Sequence, residues 1–287
     1  PHRLERIRQR LAERRDWTPE TLIELEGDFV SLWAQELVAA LGDAHAIPPA
    51  IRYEGDAAKA AAALRAWDGA MATSGPSALF VLFERELQKR TFEDEAEAHG
   101  VARFGTRKRM SALLAGRISP RFWDDVSTPA VETRAEIVGG ALEAAWREGV
   151  KRWGPDVSRW SYGSIHRLQL DHPLGTLPLV GKRFNRGPFE LPGSATTILA
   201  FGGPWTGDAI DVSYGPSMRF VTDASDPERT LVAVPGGQSG HPFDAHYADR
   251  LGPFLAGEAQ PAAWSRAAVE RATVSRLRLV PAAETSR

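Results

Sequence analysis

The residue pattern changes near Trp160, and this change constrains the fold more than any other feature of the chain. Before Trp160, apolar residues recur at the spacing of one face of an α-helix. After it, short β-type runs are separated by glycine and proline. Helices followed by strands indicate an α+β fold. We therefore predict a helical region over residues 1–160 and a β-rich region with two C-terminal helices over residues 161–287, together forming one continuous domain.

The predicted helices of the first region carry start and stop signals. An arginine-rich segment bears the apolar stripe Leu4, Ile7 and Leu11. Thr18-Pro19-Glu20 is typical of a helix start, with a capping hydroxyl and proline in the first turn, and Gly42 is placed to end that helix. Further helices are predicted at Ala57–Trp67, Ser77–Lys89, Arg107–Ala115 and Val131–Trp153.

The β-rich region contains five predicted strands and two predicted helices. The runs are short and bounded by turn residues, as expected for strands of a small sheet. The strands are predicted at Thr196–Ala200, Ile210–Tyr214, Ser217–Thr222, Thr230–Val234 and Arg276–Val280. The helices are predicted at about Ala245–Leu255 and Ala262–Val274.

Composition excludes several classes of function. The chain has 287 residues, no cysteine and a net charge of −2, so it has no disulfide, thiolate metal site or cysteine nucleophile. A nearly neutral protein has no global field that attracts nucleic acid or an anionic membrane. No apolar run approaches the roughly 20 residues that span a bilayer. We expect neither nucleic acid nor a membrane as partner, and because the sequence opens on Pro1 we favour a piece of a longer protein.

A turn over residues 234–242 concentrates glycine, proline, an amide, a hydroxyl and a histidine. Glycine reaches positive φ freely, so this composition predicts a sharply shaped loop. Ser239 suggests a nucleophile, but a nucleophile elbow needs G-x-S-x-G, and the pattern here is one residue too short. We expect the loop's side chains to bond its own backbone and to support a neighbouring site. Its supporting residues are Gln238, Ser239, His241 and His246.

Several other polar residues could bind a metal or take part in catalysis, but the sequence pattern does not favour these roles. His166, His172, His241 and His246 lack the H-x-x-x-H spacing of a helical zinc site, so we predict no metal. The amine of Pro1 could serve as a general base, but truncation explains a proline there more simply. Asp28 and Ser31 could reach an active site or cap a loop, and we favour a satisfied buried polar pair.

Several short motifs follow one another along the chain. They are Arg3-Leu4-Glu5-Arg6-Ile7, Glu26-Gly27-Asp28, Trp67-Asp68-Gly69, Gly75-Pro76-Ser77-Ala78, Tyr162-Gly163-Ser164-Ile165-His166 with His172-Pro173-Leu174, Gly193 to Thr197, Ser217 to Asp223, and the turn over residues 234–242. In these residues and in their order, the chain resembles the penicillin acylase (penicillin amidase) family. Each motif is weak alone, and their colinearity from the first residues to about Pro281 is specific.

This resemblance implies a fold and a mechanism. Family members are N-terminal-nucleophile hydrolases with a four-layer αββα sandwich, and a Ser, Thr or Cys exposed by self-cleavage attacks the amide. An asparagine and backbone N–H groups hold the oxyanion. The resemblance places nucleophile and asparagine upstream of this chain, and it assigns to Arg3 the arginine that orients the asparagine. It also implies partners in the upstream β-subunit and the α-subunit, a calcium site with upstream ligands, no cofactor in this chain, and a periplasmic or secreted location.

Three functions are compatible with these residues. The leading hypothesis is the C-terminal part of a β-subunit whose parent cleaves a small acylated amine, and which is inactive alone. The second is a catalytically inactive binding module of the same fold. The third is an unrelated carbohydrate-binding β-module over residues 161–287 on a helical stalk.

Overall fold

Capping side chains define where many of the helices begin in the computed structural model, which describes residues 2–42, 52–101 and 105–280. Thr133 and Glu136 form a reciprocal capping box at the start of the helix Arg134–Trp153, which satisfies two otherwise unpaired N–H groups. In chain order the α-helices of the described residues are α1 (His2–Ala12), α2 (Pro19–Glu26), α3 (Leu32–Ala39), α4 (Gly55–Arg65), α5 (Pro76–Ala98), α6 (Arg107–Leu114), α7 (Arg134–Trp153), α8 (Leu251–Leu255) and α9 (Arg266–Ala272).

The described residues divide into two compact units. The first unit takes its residues from Pro1–Arg15 and Gly27–Pro216, and the second from Asp16–Glu26 and Ser217–Arg287. The first unit therefore holds α1 and α3 to α7, and the second holds α2, α8 and α9.

The core of the first unit lies where α5 and α7 pack together, with α4 against α7. Trp160 is fully buried there and its indole N–H donates to the Gly154 carbonyl at 2.8 Å. Its ring lies against the backbone of Gly149, where a Cβ would come within 2.1 Å of ring carbons. Only glycine at this position of α7 allows so close an approach.

Each unit has its own sheet. In the first unit, β1 (His166–Leu170), β2 (Arg186–Glu190), β3 (Trp205–Thr206) and β4 (Ala209–Asp211) pair in the order β2-β1-β4-β3. Only the β1–β4 pair of this sheet is parallel. In the second unit, β5 (Arg219–Asp223), β6 (Asp226–Ala233) and β7 (Gln260–Pro261) form an antiparallel sheet in that order, on which α2 packs.

The helix predictions for the first region are confirmed with one correction. The continuous helix predicted from Thr18 to Gly42 is wrong, because the chain forms α2 and α3 separately. The Ser31 hydroxyl accepts the Ala34 N–H at 3.1 Å and starts a new helix. The Ser31 N–H donates to the Gly69 carbonyl at 2.9 Å. The helix α2 belongs to the second unit and α3 belongs to the first.

The strand predictions are less accurate. The strands predicted at Ser217–Thr222 and Thr230–Val234 are confirmed as β5 and β6, and that at Ile210–Tyr214 overlaps β4. Thr196–Ala200 forms no strand, because Thr197 bonds the Ser194 and Leu199 carbonyls locally. Arg276–Val280 forms no strand either, and β1, β2, β3 and β7 were not predicted.

The two C-terminal helices are shorter than predicted. The segment predicted as Ala245–Leu255 contains a 3₁₀ turn at Ala245–Tyr247 and only α8 beyond it. The Asp244 carboxylate accepts the His246 N–H at 2.7 Å, which supports a turn. The helix predicted at Ala262–Val274 is α9, which begins after the Ser265 cap.

Candidate functional site

The first unit contains an open cleft of about 990 Å³ between α5, the start of α6 and the loops around β3 and β4. A concave site with apolar walls and a few polar groups is the usual form of a ligand site. Its walls carry seven Phe, Trp and Tyr side chains, namely Trp33, Phe80, Phe92, Tyr162, Phe201, Trp205 and Tyr214. Such walls can hold an apolar group away from water.

An ion pair between a buried carboxylate and a partly exposed guanidinium forms the polar floor of this cleft. Glu84 is 6% exposed and accepts two N–H groups from Arg107, through Nε and Nη2. The same carboxylate accepts the Trp33 indole N–H at 2.7 Å. The negative charge of Glu84 raises the pKa of Arg107 above its ordinary value. The floor therefore presents a fixed, neutralised pair of charges rather than a free acid.

A turn over residues 194–197 forms one wall of the cleft. The Thr196 hydroxyl lies 2.8 Å from the Ser31 hydroxyl and 2.9 Å from the Ser194 hydroxyl. These bonds tie the turn to the N-cap of α3. The turn lies in the motif Gly193 to Thr197 that carries part of the family resemblance.

Arg3 contacts this turn directly. Its Nε donates to the Thr197 carbonyl at 2.9 Å and its Nη2 donates to the Ala195 carbonyl at 2.7 Å. A planar guanidinium with fixed donors suits such a two-point contact. The structure thus brings Arg3, the one predicted catalytic position, to the backbone of the cleft wall.

Tyr162 and His166 lie side by side at the cleft with ring centroids 4.7 Å apart. The Tyr162 hydroxyl donates to the Gly193 carbonyl at 2.8 Å, and His166 Nδ1 donates to the Leu191 carbonyl at 2.8 Å. Burial raises the pKa of Tyr162 and lowers that of His166. Both side chains are therefore oriented at the cleft by backbone carbonyls.

The loop predicted to support a site lies in the second unit. The Ser239 hydroxyl accepts the His241 N–H at 3.2 Å, and the Ser239 N–H donates to the His246 carbonyl at 3.1 Å. His246 Nδ1 lies 2.9 Å from Asp249, whose carboxylate raises the pKa of His246. Gln238 is exposed on the same loop. These residues come together in one locally bonded turn, while Arg3 and the cleft belong to the first unit.

The remaining predicted polar residues are placed as follows. Asp28 is in the chain segment that joins α2 to α3. Its carboxylate accepts two hydrogen bonds from the Arg6 guanidinium, at 2.6 and 3.1 Å. His172 Nδ1 accepts the Leu174 N–H at 3.0 Å. Pro1 lies outside the described residues.

Neither a metal site nor a membrane span is found in the described ranges. No group of three or more His, Asp or Glu side chains there is arranged to hold a metal ion. No helix in the same residues is both long and apolar enough to cross a membrane.

Sequence reasoning missed the Glu84–Arg107 pair. The signal for Glu84 is an acid directly after the apolar run Phe80–Phe83, because a carboxylate in such a helix requires a partner. The sequence does not identify that partner among 35 lysines and arginines.

The class of protein follows from the fold. The chain matches a thermostable penicillin G acylase from Alcaligenes faecalis with a TM-score of 0.56 and 14% identity, over 98% of this chain and 52% of that chain. The chain therefore has a mixed helix-and-sheet architecture of the penicillin acylase fold. This confirms the predicted α+β class.

The family follows from the sequence match. The model of the penicillin amidase family matches residues 1–271, and the chain belongs to that family. An acyl-homoserine lactone acylase of Pseudomonas syringae pv. syringae is 33% identical, over 75% of this chain and 27% of its own length. One from Pseudomonas putida is 30% identical, over 90% of this chain and 33% of its own length.

A third relative is more distant and covers more of the chain. The penicillin acylase 2 proenzyme of a Pseudomonas species is 27% identical, over 98% of this chain and 36% of its own length. The chain thus spans about a quarter to a third of the curated relatives that it matches.

Proposed function

We propose that this chain is the C-terminal part of the β-subunit of a penicillin-acylase-like amidohydrolase. The observation that carries the proposal is the family match over residues 1–271 in a chain that spans only 27 to 36% of the relatives described above. The parent protein cleaves a linear amide, R–CO–NH–R′, through an acyl-enzyme on an upstream N-terminal nucleophile. The names of the relatives favour N-acyl amines, including acyl-homoserine lactones and penicillins, as substrates.

In this proposal the chain supplies positioning rather than the reacting groups. Arg3 orients the upstream oxyanion asparagine, and its contact with the 194–197 turn supports that role. The loop of Gln238, Ser239, His241 and His246 supports a site whose reacting groups lie upstream of this chain. The partners are the upstream β-subunit, the α-subunit and a small acylated amine, without nucleic acid or membrane. A structural calcium has its ligands upstream, and the protein works in the periplasm or outside the cell.

The test is to express the full reading frame and to assay release of the amine from an acyl-homoserine lactone and from penicillin G. We expect amide cleavage by the full-length, self-processed protein and none by the 287-residue chain. Loss of the nucleophile removes the covalent route, and loss of one oxyanion donor alone costs about 10²–10³ in turnover. An upstream sequence without a Ser, Thr or Cys behind a processing junction would contradict the proposal and favour an inactive binding module.

A further inference from the structure

Helix α1, which carries Arg3, is attached to the first unit through polar contacts. No residue of α1 is buried, and Leu4 is 53% exposed. The Arg6 guanidinium donates to the Asp28 carboxylate at 2.6 Å, and His2 Nε2 lies 2.6 Å from the Glu36 carboxylate. These polar contacts, together with an edge-to-face contact of the His2 ring with Trp33 at 5.7 Å, hold α1 in place.

Arg3 and His2 lie in the first turn of α1. His2 and Arg3 are adjacent, so a side-chain link at His2 also fixes the backbone from which the Arg3 side chain leaves. His2 supplies such a link, because its Nε2 lies 2.6 Å from Glu36. The contact of Arg6 with Asp28 fixes the next turn instead.

Glu36 is itself fixed from two sides. It lies on α3, where Trp33 and Leu37 are buried in the core. One carboxylate oxygen accepts the Ser111 hydroxyl at 2.5 Å, and the other faces His2. Burial opposes ionisation, but the hydrogen bonds from Ser111 and His2 and the charge of Arg117 hold the pKa of Glu36 below its ordinary value.

We propose that Glu36 is a positioning residue that acts through His2 to keep the Arg3 guanidinium on the Ala195 and Thr197 carbonyls. The inference rests on the proposed function, in which Arg3 orients the oxyanion asparagine. Glu36 touches neither substrate nor reacting atoms in this role. Its effect passes from a core helix, through one imidazole, to the first turn of α1.

The kinetic test uses the full-length enzyme and a double-mutant cycle. We expect Glu36→Gln to lower kcat about tenfold, because a displaced positioning group costs rate rather than substrate affinity, while KM changes less than about twofold. In an Arg3→Ala background the same substitution should have no further effect. The proposal would be overturned if Glu36→Gln lowered kcat equally in the Arg3→Ala background, or if it left kcat unchanged in the wild-type background. His2→Ala should reproduce the effect if Glu36→Gln does not fold.

A second measurement does not depend on activity. Hydrogen exchange of the peptide covering residues 2–12, followed by mass spectrometry at low concentration of the 287-residue chain, should be about fivefold faster in Glu36→Gln. The matched control is Glu5→Gln, since Glu5 pairs with the exposed Arg8 at 3.6 Å on α1 itself. If the full-length protein cleaves no amide, the proposed function fails and this measurement alone decides. Unchanged exchange in Glu36→Gln would then overturn the positioning role.

Discussion

A single carboxylate, Glu84, determines the charge of the cleft floor. It has both a charged partner in Arg107 and a neutral donor in Trp33. Removal of one member of a buried pair leaves the other charge without compensation, and that cost exceeds the net gain from the pair. Glu84 is therefore a residue at which a small chemical change has a large effect on stability.

We expect Glu84→Gln to lower the free energy of unfolding by about 2 kcal/mol. The amide can still accept the Trp33 N–H, but Arg107 loses its counter-charge. The Arg107 side chain is 41% exposed, so the loss stays below the roughly 3–5 kcal/mol of a fully buried pair. Urea unfolding measures the difference. The control is Glu143→Gln, whose pair with Arg147 is exposed and should contribute less than about 0.5 kcal/mol. Equal losses would contradict a special role for the floor pair.

Glu95 should make stability depend on pH near neutrality. Burial and the adjacent Asp94 carboxyl raise its pKa from 4.5 to about 7. Asp94 in turn accepts the Val126 N–H at 2.9 Å, while Arg121 opposes the shift. Since the folded-state pKa is the higher one, the folded protein binds more protons, and stability falls as pH rises from about 4.5 to about 7.

The measurement compares wild type with Glu95→Gln across that range of pH. Wild type should lose about 3 kcal/mol relative to the variant between pH 4.5 and pH 7.5, and the difference should level off above that. If the free energy of unfolding depends on pH in the same way in both proteins, the pKa of Glu95 is not raised in the folded state.

At the scale of elements, α7 shows how one position determines the packing of a helix. Gly149 and Gly139 lie on the same helix, and Gly139 has only ordinary contacts, with a Cβ 3.7 Å from Tyr53. Gly149 has the Trp160 ring where its Cβ would stand. The sequence alone does not show that Gly139 and Gly149 differ in what surrounds them.

Gly149→Ala is expected to destabilise the protein by about 3 kcal/mol, because the Trp160 ring must move out of a close-packed core. Gly139→Ala should stabilise it by about 0.5–1 kcal/mol, since alanine loses less backbone entropy in a helix. Thermal unfolding of both variants tests the pair. A neutral Gly149→Ala would mean that Trp160 has room to shift.

Helical periodicity identified the long helices, and it missed the break between α2 and α3. That break depends on Ser31, which bonds to Gly69 and Ala34. Thr196 and Thr197 likewise have the β-branched character of a strand, and local side-chain bonds hold them in a turn. Periodicity reports which face of an element is apolar. It does not report which of two competing hydrogen-bond partners is within reach.

At the scale of the whole molecule, the described residues expose several large apolar side chains. Leu179 is fully exposed and Leu277 is 84% exposed. Exposed apolar surface favours association. In the proposed function, the upstream polypeptide covers part of it.

We therefore expect the 287-residue chain alone to self-associate in light scattering at micromolar concentration. Co-expression with the upstream part of its reading frame should give one defined species with amidase activity. A monodisperse chain that gains nothing from co-expression would favour the independent binding module.

The sequence by itself determined the family, the α+β class and most helices, because these depend on residue order and on local periodicity. Arg3 and the loop around Ser239 could be named from motifs alone. Only the tertiary structure placed Arg3 on the 194–197 turn, paired Glu84 with Arg107 and joined His2 to Glu36. These contacts link residues up to 194 positions apart, and no local pattern specifies which of many charged side chains will meet once the core has formed.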